Sequence, residues 1–139
     1  MDARGFTLVE ILISMAVLSL IIAIVGGRFN EAKRTAYVAA MEADLRHLAI
    51  AQEGYYDEAG GTYGATLKQL NFEPTPDVKL KIMVETNGWS ARAEHKYLKA
   101  DKYYCAIFVG DVKNPFLPAE EEGVLECEPK KTKRKKKKK

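Results

Sequence analysis

The sequence has few of the side chains that most enzyme active sites use. It has two histidines, His47 and His95, and two cysteines in 139 residues, and it contains no HExxH, CxxC, P-loop or GxSxG pattern. Two isolated histidines do not make a metal site, because metal centres need several ligands at defined spacing. The sequence therefore predicts no catalytic residues, no metal site and no cofactor, and it favours a non-enzymatic protein.

Charged residues are nearly absent from the start of the chain. Between Phe6 and Gly27 the only ionisable side chain is that of Glu10. A run of about 20 apolar residues is long enough to cross a bilayer as a helix. A secretory signal would instead have a basic start, a shorter apolar core and a small-residue cleavage site. The run therefore predicts a helix that inserts into lipid or packs against other apolar helices.

The helical pattern continues beyond this apolar run. Residues at alternating intervals of three and four form an apolar stripe with one polar member: Val38, Met41, Leu45, Leu48, Gln52 and Tyr55. We expect one continuous helix from about Phe6 to Asp57, apolar all round in its first half and amphipathic in its second. Gly26 and Gly27 lie at the junction, and each costs about 1 kcal/mol relative to alanine. The pair marks either a site of close helix packing or a weak point where the helix can unwind.

The second half of the chain reads as a small antiparallel sheet. Residues 78–85 alternate apolar and polar side chains, and Asn87-Gly88 is a strong hairpin signal. The return strand begins near Trp89, and "KYYCAIFVG" gives a third strand. Three strands with one apolar face need a partner, and the amphipathic half of the helix can supply it. The expected fold class is α+β, with one long N-terminal helix packed by a three-stranded sheet.

Positive charge is concentrated at the C-terminus. The whole chain has a net charge of +3, but residues 1–129 carry 13 basic against 19 acidic side chains. The remaining basic residues form a tail that is expected to be disordered: Lys130, Lys131, Lys133, Arg134, Lys135, Lys136, Lys137, Lys138 and Lys139. Three interpretations stay open: docking on the acidic body of a neighbouring subunit, binding of DNA or other anionic surfaces, or no specific role.

The opening stretch "RGFTLVEILISM" resembles the class III signal of type IV pilins and related pseudopilins. Gly5, Phe6 and Glu10 stand at the spacing of that family, and "RTAYVAAMEADLRHLAIAQEGYY" is similar to the helix of short bacterial type IV pilins. The resemblance implies that a prepilin peptidase cuts after Gly5 and that the new N-terminal Phe6 is methylated. With the basic tail (130–139), the chain is therefore expected to have three further segments: a leader (1–5), a transmembrane and filament-core helix (6–27) and a globular head (28–129).

The resemblance gives Glu10 a role in assembly, together with Phe6 and Thr7. Cleavage creates a cationic amine on Phe6, and Glu10 of an axially staggered neighbour could pair with it. The alternative is a glutamate that is merely favoured by the dipole at a helix N-terminus. Export, which the resemblance also implies, predicts a disulfide between Cys105 and Cys127 that closes the C-terminal loop.

The implied function is a structural subunit of a type IV pilus, a filament associated with adhesion and motility. Its partners would be other copies of itself, the peptidase, the inner membrane before assembly, and the pilus assembly platform with its ATPase. The precursor would reside in the inner membrane and the mature chain in an extracellular filament. Two alternatives remain: a pseudopilin of a type II secretion or DNA-uptake system, and a bitopic membrane protein with a monomeric binding module.

Overall fold

A computed structural model describes residues 6–129, without the side chains of residues 26–28 and 129. Its elements in chain order are helix α1 (Leu8–Glu58), strands β1 (Val78–Glu85) and β2 (Asn87–His95), a short 3-10 helix (Lys96–Leu98), and strands β3 (Tyr103–Asp111) and β4 (Glu126–Pro129). The chain divides into two compact units, Met1–Thr35 and Ala36–Lys139. The predicted leader and the lysine tail lie outside the described residues.

Local backbone interactions explain where helix α1 begins and where it ends. At the start, the hydroxyl of Thr7 accepts a hydrogen bond from the Glu10 backbone N–H at 3.3 Å, so Thr7 is the N-cap and the helix begins at Leu8. At the end, Gly60 has a φ of +70° and the Gly61 N–H donates to the carbonyl of Tyr56 at 2.9 Å. A left-handed glycine with this bond is the Schellman arrangement that ends many helices. The predicted helix is confirmed, with ends shifted by one or two residues.

The sheet has four strands, not the three that the sequence predicted. Its order is β1-β2-β3-β4, and every neighbouring pair is antiparallel. The additional strand, β4, has only four residues and follows an irregular loop rich in proline and glutamate. Four residues are too few to show a period-2 pattern, and β4 is defined by its pairing with β3, in which Cys127 lies opposite Cys105. The α+β fold class is otherwise confirmed.

The predicted hairpin joins β1 and β2, but Gly88 has a different role from the one expected. Glu85 pairs with Gly88, so the connection consists of Thr86 and Asn87, and Gly88 lies within the strand. A Cβ atom on Gly88 would come within 2.6 Å of the Val109 carbonyl oxygen in β3. Glycine is needed here because two backbones approach closely, rather than for the turn.

The core of the second unit lies between α1 and one face of the sheet. The helix contributes Met41, Leu45 and Leu48, all fully buried, as the stripe predicted. The facing side chains come from alternate positions of the central strands and belong to the same cluster: Trp89, Ala91, Ala93, Cys105 and Ile107. The stripe therefore packs the helix against the sheet.

Two buried polar side chains of α1 form hydrogen bonds with the loop that connects the helix to strand β1. Gln52, fully buried, donates from Nε2 to the Gly64 carbonyl at 2.7 Å and accepts from the Gly64 N–H at 2.9 Å. Asp44 accepts from the Thr75 N–H at 2.8 Å and from the Thr75 hydroxyl at 2.7 Å. These bonds satisfy groups that would otherwise be buried without partners.

Candidate assembly site

The first unit presents an apolar helical surface on all sides. Every described side chain from Phe6 to Val25 is exposed, and this segment is long and apolar enough to cross a membrane by its length and composition. Its two serines do not interrupt that surface chemically. The hydroxyls of Ser14 and Ser19 donate to the carbonyls of Glu10 and Met15 at 2.7 and 2.8 Å. Because these two hydroxyls are already bonded within the helix, neither serine would be an unpaired donor in an apolar environment.

The predicted assembly residues lie at the start of this surface. Phe6 precedes the helix and is 78% exposed, Thr7 is the N-cap, and Glu10 is in the first turn. Gly5, on the other side of the predicted cut, lies outside the described residues. The capping bond between Thr7 and Glu10 is a contact that the sequence reasoning missed. The signal was present, because Thr-x-x-Glu before an apolar run is a capping-box pattern.

At the predicted weak point, the backbone of α1 remains helical through Gly26 and Gly27. The assignment of this pair to close packing or to unwinding stays a prediction.

The two cysteines are joined, as the sequence analysis predicted. Cys105 and Cys127 form a disulfide between directly opposite positions of β3 and β4. The loop between these strands is also held by backbone bonds, since the Gly123 N–H donates to the Phe108 carbonyl at 2.8 Å. Pro129, the last residue before the basic tail, pairs with Tyr103. The disulfide therefore fixes the short strand from which the tail continues.

The two histidines have ordinary surroundings. His47 is exposed on the helix, whereas His95 is buried, stacks on Tyr37 at a centroid distance of 4.3 Å, and accepts at Nδ1 from the Tyr97 N–H. Within residues 6–129, no group of three or more histidine, cysteine, aspartate or glutamate side chains could hold a metal ion. Burial, followed by the charges of Glu53, Tyr56 and Glu122, raises the pKa of the Tyr63 phenol.

Comparison with known proteins adds one match, which covers the same N-terminal segment. The family described as the prokaryotic N-terminal methylation motif matches residues 1–26. No curated protein and no solved structure matches the chain. Together with the exposed apolar helix and Glu10 in its first turn, this match supports the resemblance to type IV pilin-like proteins.

The same match bears on the role, the processing and the membrane anchoring of the chain. The motif is that of a pilin or pseudopilin-like protein, and it points to a structural, non-enzymatic role. It implies processing by a prepilin peptidase and assembly into a pilus-like polymer. Together with the apolar helix, it fits a precursor anchored in a membrane.

Proposed function

We propose that the chain is the structural subunit of a type IV pilus, cut between Gly5 and Phe6 and polymerised through its N-terminal helix into an extracellular filament. The observation that carries this proposal is the exposed apolar helix from Leu8 to Val25, with Glu10 in its first turn and the methylation motif around it. A precursor would keep this surface in lipid, and a filament would bury it against copies of the same helix.

Burial of this surface, in lipid or in a filament, is favourable relative to exposure in water. Each fully buried leucine, isoleucine or valine side chain is worth about 1.5–3 kcal/mol relative to exposure in water. In a membrane most of that gain is already made, so the apolar surface alone does not define the arrangement of subunits. Close packing and polar contacts have to define it.

Glu10 is the polar group suited to set that arrangement. No basic side chain lies between Phe6 and Gly27, and Arg28 is 18 positions away, about 27 Å along a helix. The amine that cleavage creates on Phe6 is therefore the cation best placed to pair with the Glu10 carboxylate of a neighbouring copy. A charge in an apolar environment needs such a partner, and removing one member of a buried pair costs about 3–5 kcal/mol.

The test replaces Glu10 by alanine and uses Ser14→Ala as the matched control. The control changes a polar side chain one turn further along, whose hydroxyl is already bonded to the helix. Glu10→Ala should still be cut after Gly5 but should give few filaments, whereas Ser14→Ala should assemble normally. Glu10→Ala chains that are cut and assemble into normal filaments would contradict the pairing.

Electron microscopy of the cell surface separates the proposed pilus from its alternatives. Long, abundant filaments support the proposal. Short or sparse periplasmic filaments would indicate a pseudopilin of a secretion or DNA-uptake system, and their complete absence a bitopic binding module.

The role of the tail is tested by deleting residues 130–139. Loss of filament yield would indicate docking between subunits, and a salt-sensitive loss of DNA retention would indicate polyanion binding. No change in either quantity would leave the tail without a specific role.

A further inference from the structure

A cavity of about 380 Å³ lies at the end of the sheet where β1 begins and β2 ends. Val78, the first residue of β1, pairs with His95, the last residue of β2, and both line the cavity. The other lining residues are charged: Asp77, Lys79, Glu94, Lys96 and Lys99. Ligand pockets in proteins have volumes of about 300–1,000 Å³, so this cavity can hold a small molecule.

His95 supplies a fixed hydrogen-bond donor to this lining. His95 is only 5% exposed, and its ring stacks on that of Tyr37 at a centroid distance of 4.3 Å. Its Nδ1 accepts a hydrogen bond from the Tyr97 N–H at 3.3 Å. Because Nδ1 is an acceptor, the neutral ring carries its proton on Nε2. Among the described residues Nε2 has no hydrogen-bond partner, so a buried ring leaves one N–H donor for a ligand.

The lysines make the lining of the cavity positive. Three lysines line it together with two carboxylates, which gives a net charge of +1. The Asp77 carboxylate lies 3.6 Å from the Lys96 ammonium, and Glu94 stands opposite Lys79 in the register of β1 and β2. Within residues 6–129, no carboxylate forms an ion pair with Lys99. The charge of Lys99 is therefore available for an anion.

The donor types favour a phosphate group over a carboxylate. A planar carboxylate is matched by the two parallel N–H groups of an arginine, and the lining contributed by residues 6–129 contains no arginine. Lysines act as point charges and can contact a tetrahedral phosphate from several sides.

We propose that this cavity binds the phosphate group of a small phosphate ester, with the His95 Nε2–H and the Lys99 ammonium as its donors. The cavity and both donors belong to the second compact unit, so the site goes beyond the proposed filament and does not depend on it. Two sources present such a group: a free phosphorylated solute and the headgroup of an anionic phospholipid.

The test is a titration of the full chain, in micelles of a phosphate-free detergent, followed by NMR of the imidazole nitrogens. Glycerol phosphate is the soluble probe, and His47, exposed on the helix, is the internal control. The His95 Nε2 resonance should shift and saturate, whereas the resonances of His47 should stay unchanged. A saturable shift of His95 only in micelles that contain phosphatidylglycerol would assign the site to a lipid headgroup.

Three substitutions test the proposed donors. Lys99→Gln should weaken the affinity about tenfold, as expected for the loss of one hydrogen bond to a charged group. Lys102→Gln is the matched control, because it removes the same charge from a nearby exposed lysine that does not line the cavity. Glu94→Gln removes a carboxylate from the lining and should strengthen binding, a gain that damage to the fold would not produce.

Each variant is first checked for a native head by the fluorescence of the buried Trp89. The site is refuted if neither probe gives a saturable shift of His95, or if both histidines shift alike. It is also refuted if Lys99→Gln weakens binding no more than Lys102→Gln, or if Glu94→Gln fails to strengthen it. These measurements do not involve assembly, so failure of the site leaves the proposed filament standing.

Discussion

Replacing Gln52 by leucine should destabilise the head strongly. Both ends of the Gln52 amide bond to the backbone of Gly64, and Gln52 is fully buried. Leucine has a similar size but leaves the buried N–H and carbonyl of Gly64 without partners. Each stranded group costs about 1–3 kcal/mol, part of which the greater apolarity of leucine offsets. We expect a net loss of about 2–4 kcal/mol in the free energy of unfolding.

Gln69→Leu is the matched control, because it removes a similar set of bonds at an exposed position. The Gln69 Oε1 accepts from the N–H groups of Ala65 and Thr66 at 3.0 and 3.1 Å. Water can replace those bonds, so the loss should stay below about 1 kcal/mol.

The assay is urea unfolding of the full chain in detergent micelles without reductant. Trp89 is the only tryptophan and is fully buried, so its fluorescence reports the unfolding of the head. A loss for Gln52→Leu no larger than that for Gln69→Leu would refute the claim that the buried amide stabilises the connection.

Three further predictions use the same unfolding assay. Asp44→Ala removes two charge-assisted hydrogen bonds to Thr75 and should cost about 1–3 kcal/mol; a smaller loss than for Gln69→Leu would contradict their contribution. Replacing Cys105 and Cys127 by serine opens a loop with a sequence separation of 22 and should cost about 3 kcal/mol; a reductant should then shift the wild-type midpoint but not that of the variant. Burial raises the pKa of the Tyr63 phenol in the folded chain, so the unfolded chain loses this proton at a lower pH than the folded chain does. The contribution of the protonated phenol to stability is therefore fully present below pH 10 and is lost as the pH rises through the folded pKa. Tyr63→Phe should reduce this alkaline loss, and an unchanged pH profile would contradict the assignment.

Elements with a long periodic pattern could be predicted from the sequence. The helical stripe through Met41, Leu45 and Leu48 repeats over several turns, and each of these side chains is buried as the pattern indicates. The strand at 78–85 is also found at the expected position, and its hairpin turn lies one residue earlier than the Asn-Gly signal indicated. In these elements local periodicity and tertiary packing agree, so each position adds to the same signal.

The features that were missed depend on contacts between distant parts of the chain. Strand β4 is defined by its pairing with β3, in which Cys127 lies opposite Cys105, 22 positions earlier, and its own residues carry no strand pattern. The Arg92 guanidinium of β2 contacts the rings of Tyr104 in β3 and Phe116 in the following loop, and no sequence spacing predicts a contact among these three segments. At the N-terminus the motif itself was readable, because Gly5, Phe6 and Glu10 lie within a few residues of each other.

The central claim is that this chain is cut after Gly5 and enters the filament with a modified Phe6. Mass spectrometry of the intact protein, purified from surface filaments, tests it most directly. The account predicts a single chain that begins at Phe6, lacks residues 1–5 and carries a methyl group on its N-terminal amine. Filaments built from chains that still begin at Met1, or that have been cut at another position, would contradict it.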